Sequence, residues 1–271
     1  MTRRVRAPVY DGIGAKYTRH RRADPRLADR IHAMLDLSPG SLVVDVGAGT
    51  GNYSRALAER GPHVLALEPS SVMRDQRRDD PRVDWIAGCA ESIPLADQSA
   101  DGVVSLLAIH HFASIERAFA EMGRIAGTGP ITIFTFDPRE GNTPWLAEYF
   151  PSIWEDAQLA FPPIDVIAHL LAVTGCGDVR AAVFDLPPDL EDRFLAAGWQ
   201  EPELYLDKEV RASMSGFALV DPSETAIGLR QLEADLESGL WRRKHGRIRM
   251  QQSADWGYRL LVARACEQGR G

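Results

Sequence analysis

The feature that most constrains the fold of this chain is a short apolar run that ends in a glycine-rich loop. Residues 41–46 read Ser-Leu-Val-Val-Asp-Val, a β-branched run of the kind that is buried in a parallel sheet. The loop Gly47-Ala48-Gly49-Thr50-Gly51 follows directly, and a helical pattern covers residues 52–60. Because glycine tolerates positive φ angles and lets a ligand approach the backbone, this pattern predicts a ligand-binding turn between a strand and a helix.

The same alternation of strand and helix patterns recurs along the chain. Further strand patterns lie at residues 63–68, 83–87, 101–107, 130–136, 179–186 and 256–263, and helical patterns lie at 25–37, 72–78, 114–125, 191–197 and 222–236. Strands that alternate with helices in this way predict βαβ units. We therefore expect an α/β fold, with a doubly wound, mostly parallel, seven-stranded Rossmann-like sheet and helical cap insertions.

The regular alternation stops after residue 138, which suggests how the chain is organised. Residues 1–38 are predicted to form N-terminal lid helices, and residues 39–138 form the predicted ligand-binding Rossmann-like core. Residues 139–255, rich in aromatic residues and proline at 145–163, are predicted to form a helical cap that binds substrate, with a sixth strand near 179–186. Residues 256–271 then supply the final core strand and a tail.

Charge and cysteine content narrow the possible partners and the compartment. The formal net charge is −7, whereas proteins that bind the phosphate backbone of nucleic acids are usually basic. A nucleic-acid partner is therefore disfavoured. Three widely separated cysteines form neither a disulfide framework nor a metal-ligand pattern, and they suit a reducing cytosol. We recognise neither a signal peptide nor a run of the roughly 18 apolar residues that a membrane span needs. These patterns predict a cytoplasmic protein without a membrane partner or a metal site; the oligomeric state stays open.

Two acidic residues near the glycine-rich loop help to separate the cofactor classes that such loops bind. Asp45 lies on the strand itself, two residues before Gly47, and suits a ligand that carries an ammonium group. Glu68 ends the second predicted strand, where a carboxylate can accept hydrogen bonds from ribose hydroxyls. The dinucleotide fingerprint needs a third glycine at the position of Asn52, so the spacing favours S-adenosylmethionine over NAD.

Four sequence motifs occur in an order that resembles a known family. They are Val-Val-Asp-Val-Gly-Ala-Gly-Thr-Gly at 43–51, Ala-Leu-Glu-Pro-Ser at 66–70, Gly-Cys-Ala-Glu-Ser-Ile-Pro-Leu-Ala-Asp-Gln-Ser-Ala-Asp at 88–101, and Ala-Ile-His-His-Phe at 108–112. Together they resemble the class I S-adenosylmethionine-dependent methyltransferases. The type concerned includes ubiquinone- and menaquinone-biosynthesis methyltransferases and many natural-product enzymes. The resemblance covers residues 10–137 well and the final strand moderately.

This resemblance implies a role for each matching residue in binding the cofactor. The methionine end would be held by Asp45, Gly47, Ala48 and Gly49. The ribose would be held by Glu68, with Pro69 and Ser70 beside it. Ala90 and Glu91 would lie at the adenine edge, and Leu107 and Ala108 at the methionyl tail.

The resemblance also covers an N-terminal segment and includes one departure from the family. Residues 10–17 are similar to the family's N-terminal lid, with Tyr17 and Arg21 as candidates for binding the cofactor's carboxylate. Cys89 stands where the family often has an aspartate that accepts a hydrogen bond from the adenine amino group. Since a thiol is a poor acceptor, that contact falls to Glu91 or to the backbone.

The candidate catalytic residues follow the fourth and fifth predicted strands. His110 and His111 are adjacent, so at most one of them is expected to face the substrate at a strand end. An imidazole there can act as a general base, and we favour His111 over His110. Asp137, just after the fifth strand, is the other candidate. Packing of the histidines beneath the lid is the structural alternative.

The sequence therefore predicts a methyltransferase that moves a methyl group from S-adenosylmethionine to N, O or C of a small-molecule acceptor. An NAD-dependent oxidoreductase and a non-catalytic S-adenosylmethionine-binding protein are the alternatives. A nucleic-acid methyltransferase is disfavoured, because no Asn/Asp-Pro-Pro-Tyr/Phe-type motif accompanies the acidic charge balance.

Overall fold

One seven-stranded sheet organises the chain. The computed structural model describes residues 21–174 and 177–264. The strands are β1 (Leu42–Val46), β2 (His63–Leu67), β3 (Val83–Ile86), β4 (Gly102–Leu106), β5 (Ile131–Phe136), β6 (Asp178–Val183) and β7 (Tyr258–Arg264). They are ordered β3-β2-β1-β4-β5-β7-β6, so the strand order reverses between β1 and β4. Ligands of doubly wound sheets bind at such a reversal, outside the carboxyl ends of the strands.

The strand pairing confirms the predicted doubly wound, mostly parallel sheet. The five strands from β3 to β5 pair in parallel. β7 runs antiparallel to both of its neighbours, β5 and β6. Every residue of β5 is buried, as expected for a strand covered on both faces.

Helices cover both faces of the sheet and form the cap. They are α1 (Pro25–Leu35), α2 (Asn52–Ala58), α3 (Ser71–Arg74), α4 (Ile115–Ala126), α5 (Leu146–Tyr149), α6 (Pro151–Ala160), α7 (Ile164–Val173), α8 (Lys208–Ala212), α9 (Ser215–Leu219), α10 (Pro222–Glu237) and α11 (Leu240–His245). Short 3₁₀ turns occur at Ile109–His111, Pro202–Leu206 and Gly246–Met250. α1 and α2 pack together on one face, whereas α4 and α7 pack together against the sheet elsewhere.

Alternation along β1 distributes its side chains between two cores. Val43 belongs to the core beneath α1 and α2, whereas Val44 and Val46 belong to the core beneath α4 and α7. Because successive strand residues point to opposite faces, Asp45 shares the face of Val43 and points toward α2. This places a carboxylate under the first turn of the helix that follows the glycine-rich loop.

The cap has an aromatic core of its own. Trp145 makes edge contacts with Tyr205 and Trp241, with ring centroids 5.4 Å apart in each pair. Its indole nitrogen donates to the carbonyl of Trp199 at 2.8 Å. These buried rings anchor α5, and through it α6, which carries part of the cavity wall described below.

The structure corrects the predicted helix at 191–197. These residues form bends and turns, in which Asp192 is 1% exposed and paired with Arg21. Because the partners are 171 residues apart, the local helical pattern carried no signal for this ion pair. Tyr17 and most of the predicted lid lie outside the described residues.

One apolar stretch, Pro151–Val173, has the length and composition of a membrane span, which was not expected from the sequence. Its most apolar 18 consecutive residues have a mean hydropathy of 1.2, and 17% of them are buried. The stretch is not one continuous helix, because residues 161–163 separate α6 from α7.

Candidate active site

The glycine-rich loop is fastened to the neighbouring strand. The backbone N–H groups of Gly47 and Ala48 both donate to the carbonyl of Leu67, at 2.9 and 3.1 Å. Gly47, Gly49 and Gly51 all have positive φ angles. A Cβ on Gly47 would lie 2.6 Å from the Cβ of Ala108, which directly follows β4 and Leu107. The loop of β1 and the end of β4 are therefore in contact at the point where the strand order reverses.

We expect Gly47→Ala to lower the free energy of unfolding by about 3 kcal/mol, since it combines left-handed strain with a steric overlap. Gly40 is the matched control: its φ is +85° and no atom lies within 4 Å of an added Cβ. Gly40→Ala should cost only about 1 kcal/mol, from backbone strain alone. Urea denaturation of the two variants measures the difference, and equal losses would contradict the close approach of the two loops.

Asp45 lies beneath the loop and is 2% exposed. The hydroxyl of Ser54, in α2, donates to its Oδ2 at 2.6 Å. Burial raises the pKa of Asp45 to about 6, the Ser54 hydrogen bond lowers it in part, and the negative charge of Glu68 raises it further. The site thus holds a carboxyl group that is costly to ionise until a cation approaches it.

Glu68, just after β2, connects the loop to the next turn. Its Oε2 accepts from the N–H of Gly49 and its Oε1 from the N–H of Ser70, both at 2.9 Å. A carboxylate has about four lone-pair directions, so it can accept from ligand hydroxyls as well as from backbone N–H groups. Ser70 in turn caps α3 by accepting from the N–H of Met73.

The segment after β3 contributes Cys89, Ala90 and Glu91 to the same cavity. Cys89 is exposed and is a free thiol. Glu91 accepts from the N–H groups of Ala113 and Ser114, at 2.6 and 3.2 Å, at the start of α4. Glu91 therefore holds this helix end beside the cavity, a role that the sequence analysis did not foresee.

Leu107 and Ala108 turn the chain away from β4. Leu107 has a φ of +51°, and its N–H donates to the carbonyl of Phe134 at 2.8 Å. A 3₁₀ turn, Ile109–His111, follows directly.

His110 and His111 belong to this turn rather than to the strand, and both line the cavity. The expectation that at most one histidine faces the site assumed an extended strand end, and the turn removes that restriction. The ring of His110 stacks on Phe161 with centroids 4.0 Å apart, and its Nδ1 is a buried atom without a hydrogen-bond partner among the described residues.

Desolvation by the surrounding walls keeps both imidazoles neutral. It lowers the pKa of His110 well below its usual value, and His111 lowers it further. Desolvation lowers the pKa of His111 to about 4. Solvent in the cavity still reaches His111, which is exposed, and this reduces the penalty. A neutral imidazole can accept a hydrogen bond from a ligand at physiological pH.

Asp137 is not among the residues that line the cavity. Its Oδ1 accepts from the N–H and the Nε of Arg139, at 3.0 and 2.7 Å, and its Oδ2 accepts from the N–H of Ile164 at 3.1 Å. These bonds tie the end of β5 to the start of α7. The position of Asp137 outside the cavity does not support its predicted catalytic role. Its hydrogen bonds instead give this buried carboxylate a structural role.

Arg21 lines the cavity and forms an ion pair with Asp192, to which its Nε and Nη2 both donate. Its carbonyl accepts from the side chain of Asn52 at 2.7 Å. Asn52, which occupies the position of the third glycine in dinucleotide-binding loops, therefore ties the N-terminal segment to α2.

One cavity of about 1000 Å³ brings most of the predicted residues together. Those that line it are Arg21, Gly47, Ala48, Gly49, Glu68, Pro69, Ser70, Cys89, Ala90, Glu91, Leu107, Ala108, His110 and His111. The cap also contributes lining residues that the sequence did not predict: Asp156, Leu159, Ala160, Asp192 and Leu219. Its α6 residues recur at helical spacing, but no local motif distinguishes them. No group of three or more potential metal-binding side chains occurs within the part of the chain that the structure describes.

Comparisons with known proteins agree on the kind of enzyme that this geometry resembles. A family model described as a methyltransferase domain matches residues 44–134. A solved protein of Anabaena variabilis, to which methyltransferase activity in an antibiotic biosynthesis pathway has been attributed, is 47% identical with a TM-score of 0.89. That similarity covers 91% of this chain and 99% of the other.

Two curated relatives are more distant. A demethylmenaquinone methyltransferase of Renibacterium salmoninarum is 29% identical over 203 residues, which is 64% of this chain and 84% of the relative. A malonyl-[acyl-carrier protein] O-methyltransferase of Pectobacterium atrosepticum is 33% identical over 129 residues, 47% of this chain and 51% of the relative. The chain thus spans about half the length of the latter. Other solved proteins of this fold contain bound S-adenosylmethionine or S-adenosylhomocysteine.

Proposed function

Because the chain belongs to the class I S-adenosylmethionine-dependent methyltransferases, we propose that it methylates N, O or C of a small molecule bound beside the cofactor. The observation that carries this proposal is the size of the cavity. At about 1000 Å³ it lies at the upper end of the range for small-molecule sites. Such a volume suits a cofactor and an acceptor held together, with the loop residues at one end and the cap residues at the other.

The residues at the loop end fit S-adenosylmethionine. Gly47, Ala48 and Gly49 line the cavity with backbone that carries little or no side chain, and the Glu68 carboxylate lies beside them, where a carboxylate can accept from ribose hydroxyls. We propose that Asp45, Gly47, Ala48 and Gly49 hold the methionine end and that Glu68 holds the ribose. When bound, the cofactor supplies a methyl group already activated by a sulfonium.

The remaining cavity residues are proposed to contact the other parts of the cofactor. We propose that Pro69 and Ser70 flank the ribose, that Cys89, Ala90 and Glu91 border the adenine, and that Leu107 and Ala108 line the methionyl tail. Arg21 would face the cofactor's carboxylate, and Tyr17 keeps that role as a proposal from the resemblance alone.

For methyl transfer, the chain's main tasks are to align the two reactants and to exclude competing reactions. His111 is the proposed group that contacts the acceptor, with His110 behind it against Phe161. A low pKa makes His111 a weak base but a dependable hydrogen-bond acceptor. This role suits an acceptor whose nucleophilic atom needs orientation more than deprotonation.

We expect nitrogen-detected NMR of the imidazoles to show His111 neutral at pH 6, with a midpoint below 5, because desolvation disfavours the imidazolium. His111→Gln and His110→Gln assign the two resonances, and a histidine-containing peptide provides the unperturbed reference. A midpoint near 6.5 for His111 would contradict the neutral role and restore that of a conventional general base.

The alternatives are weaker. An NAD-dependent oxidoreductase is disfavoured, because the chain belongs to the methyltransferases and has Asn52 in place of the third glycine of dinucleotide-binding loops. A non-catalytic binding protein would have no need for an acceptor compartment, which the cap wall supplies here. We also propose a cytoplasmic location, supported by the cysteine pattern alone. Calorimetric titration with S-adenosylhomocysteine, followed by acceptor screening with labelled S-adenosylmethionine, tests the proposal as a whole.

A further inference from the structure

Three charged side chains define the electrostatics of the cap end of the cavity. Arg21, proposed above to face the cofactor's carboxylate, forms an ion pair with Asp192 of the cap, so their charges largely cancel. Asp156, on α6, also lines this end, and within residues 21–174 and 177–264 it has no ion-pair or hydrogen-bond partner. The two histidines nearby are neutral at pH 7, as their lowered pKa values require. The described residues that line the acceptor compartment therefore carry a net negative charge.

The remaining wall of this compartment is apolar. Leu159 and Ala160 lie three and four residues after Asp156, so all three share one face of α6. Leu219, at the end of α9, lies on the same cavity. Leu159 is 83% exposed and Leu219 40% exposed, so both have apolar surface that a ligand in the cavity can cover. An apolar ligand body would bury both.

From this combination we propose that the acceptor is an apolar amine, methylated at nitrogen, with Asp156 as the residue that selects it. The inference rests on the proposed function and narrows its acceptor class. An anionic acceptor would meet the carboxylate of Asp156 and, within the described part of the chain, no basic side chain on the cavity other than the ion-paired Arg21. An amine carried in as its ammonium form meets the opposite charge, while its apolar body covers Leu159 and Leu219.

The same carboxylate favours the transfer step itself. The ammonium first gives a proton to water, which reaches the exposed Asp156 through the mouth of the cavity. The nitrogen lone pair then forms the N–C bond as the C–S bond breaks. The electrons of the broken bond stay on sulfur, and the positive charge passes to nitrogen. Asp156 stabilises that developing charge relative to the neutral-amine complex; because it also stabilises the ammonium form that must lose its proton, its effect is expected in kcat/KM.

Three probes with one apolar body test the charge preference: 4-phenylbutylamine, 4-phenylbutanol and 4-phenylbutyrate, each titrated into protein saturated with S-adenosylhomocysteine. We expect the amine to bind about fivefold or more tightly than the alcohol, and the carboxylate to bind most weakly. Asp156→Asn should remove the difference between amine and alcohol while leaving alcohol binding unchanged. Glu155→Gln is the matched control, since Glu155 is the exposed neighbour on α6 and does not line the cavity.

Methyl transfer from labelled S-adenosylmethionine gives a second readout, with the label expected on nitrogen of the amine and a lower rate in Asp156→Asn. The proposal is overturned if the alcohol or the carboxylate binds as tightly as the amine, or if Asp156→Asn keeps the preference. It is also overturned if none of the probes binds up to millimolar concentration. Failure of the protein to bind S-adenosylhomocysteine at the outset is a different result, which contradicts the proposed function.

Discussion

Glu68→Ala is expected to weaken S-adenosylhomocysteine binding at least about 100-fold, because one carboxylate both organises the loop and accepts from the ligand. The wild-type side chain accepts from Gly49 and Ser70. Its loss leaves two backbone donors unsatisfied and removes two charge-assisted hydrogen bonds to the ribose, each worth about 1.5–3 kcal/mol. Calorimetric titration of both proteins with S-adenosylhomocysteine measures the loss.

Two controls make this result specific. Glu59→Ala removes an exposed carboxylate just after α2 and should leave affinity unchanged. NAD⁺, titrated in parallel, should not bind the wild type. Circular dichroism and thermal denaturation show whether the Glu68→Ala protein is folded. A folded variant that binds within about threefold of the wild type would refute the assignment of Glu68 to the ribose.

The framework of this fold could be predicted from the sequence because buried strands have a local signature. The run ending at Val46 and the run around Ile131–Phe136 are apolar enough to be recognised without any partner. The glycines of the first loop and Glu68 follow strand ends directly, so their convergence could be inferred from the general geometry of parallel sheets. The structure gives these residues the contacts that such geometry implies.

Long-range contacts explain what could not be predicted. Turns replace the expected helix at 191–197, where Asp192 is fixed by Arg21 from the other end of the chain. Asp137 follows a strand end as a catalytic acid can, yet it is held by Arg139 and Ile164. The cavity wall at Asp156 depends on how the cap folds over the sheet. None of these contacts can be recognised from the hydrophobic periodicity of the segment in which the residue lies.

Asp45→Asn is expected to stabilise the ligand-free protein at pH 7.5 by up to about 3 kcal/mol while weakening S-adenosylhomocysteine binding. The pKa of Asp45 is raised to about 6 from the ordinary aspartate value of 3.8, chiefly by burial. The folded state therefore holds a proton that the unfolded state has already lost between these pH values. This contribution to stability is fully present below 3.8 and is lost as the pH rises through 6.

At neutral pH the ionised Asp45 therefore costs stability, because it is buried near the like charge of Glu68 and the Ser54 hydrogen bond offsets this cost only in part. The ammonium group of a bound ligand would offset that cost. Asp45→Asn is therefore expected to raise the stability of the ligand-free protein and to weaken ligand binding. Urea denaturation of both proteins between pH 4 and 8 gives the difference in unfolding free energy, which should grow as the pH rises. If the asparagine variant is instead less stable at pH 7.5 and binds S-adenosylhomocysteine normally, Asp45 acts only as a structural acceptor for Ser54, and the methionine end must be held by the backbone of the glycine-rich loop.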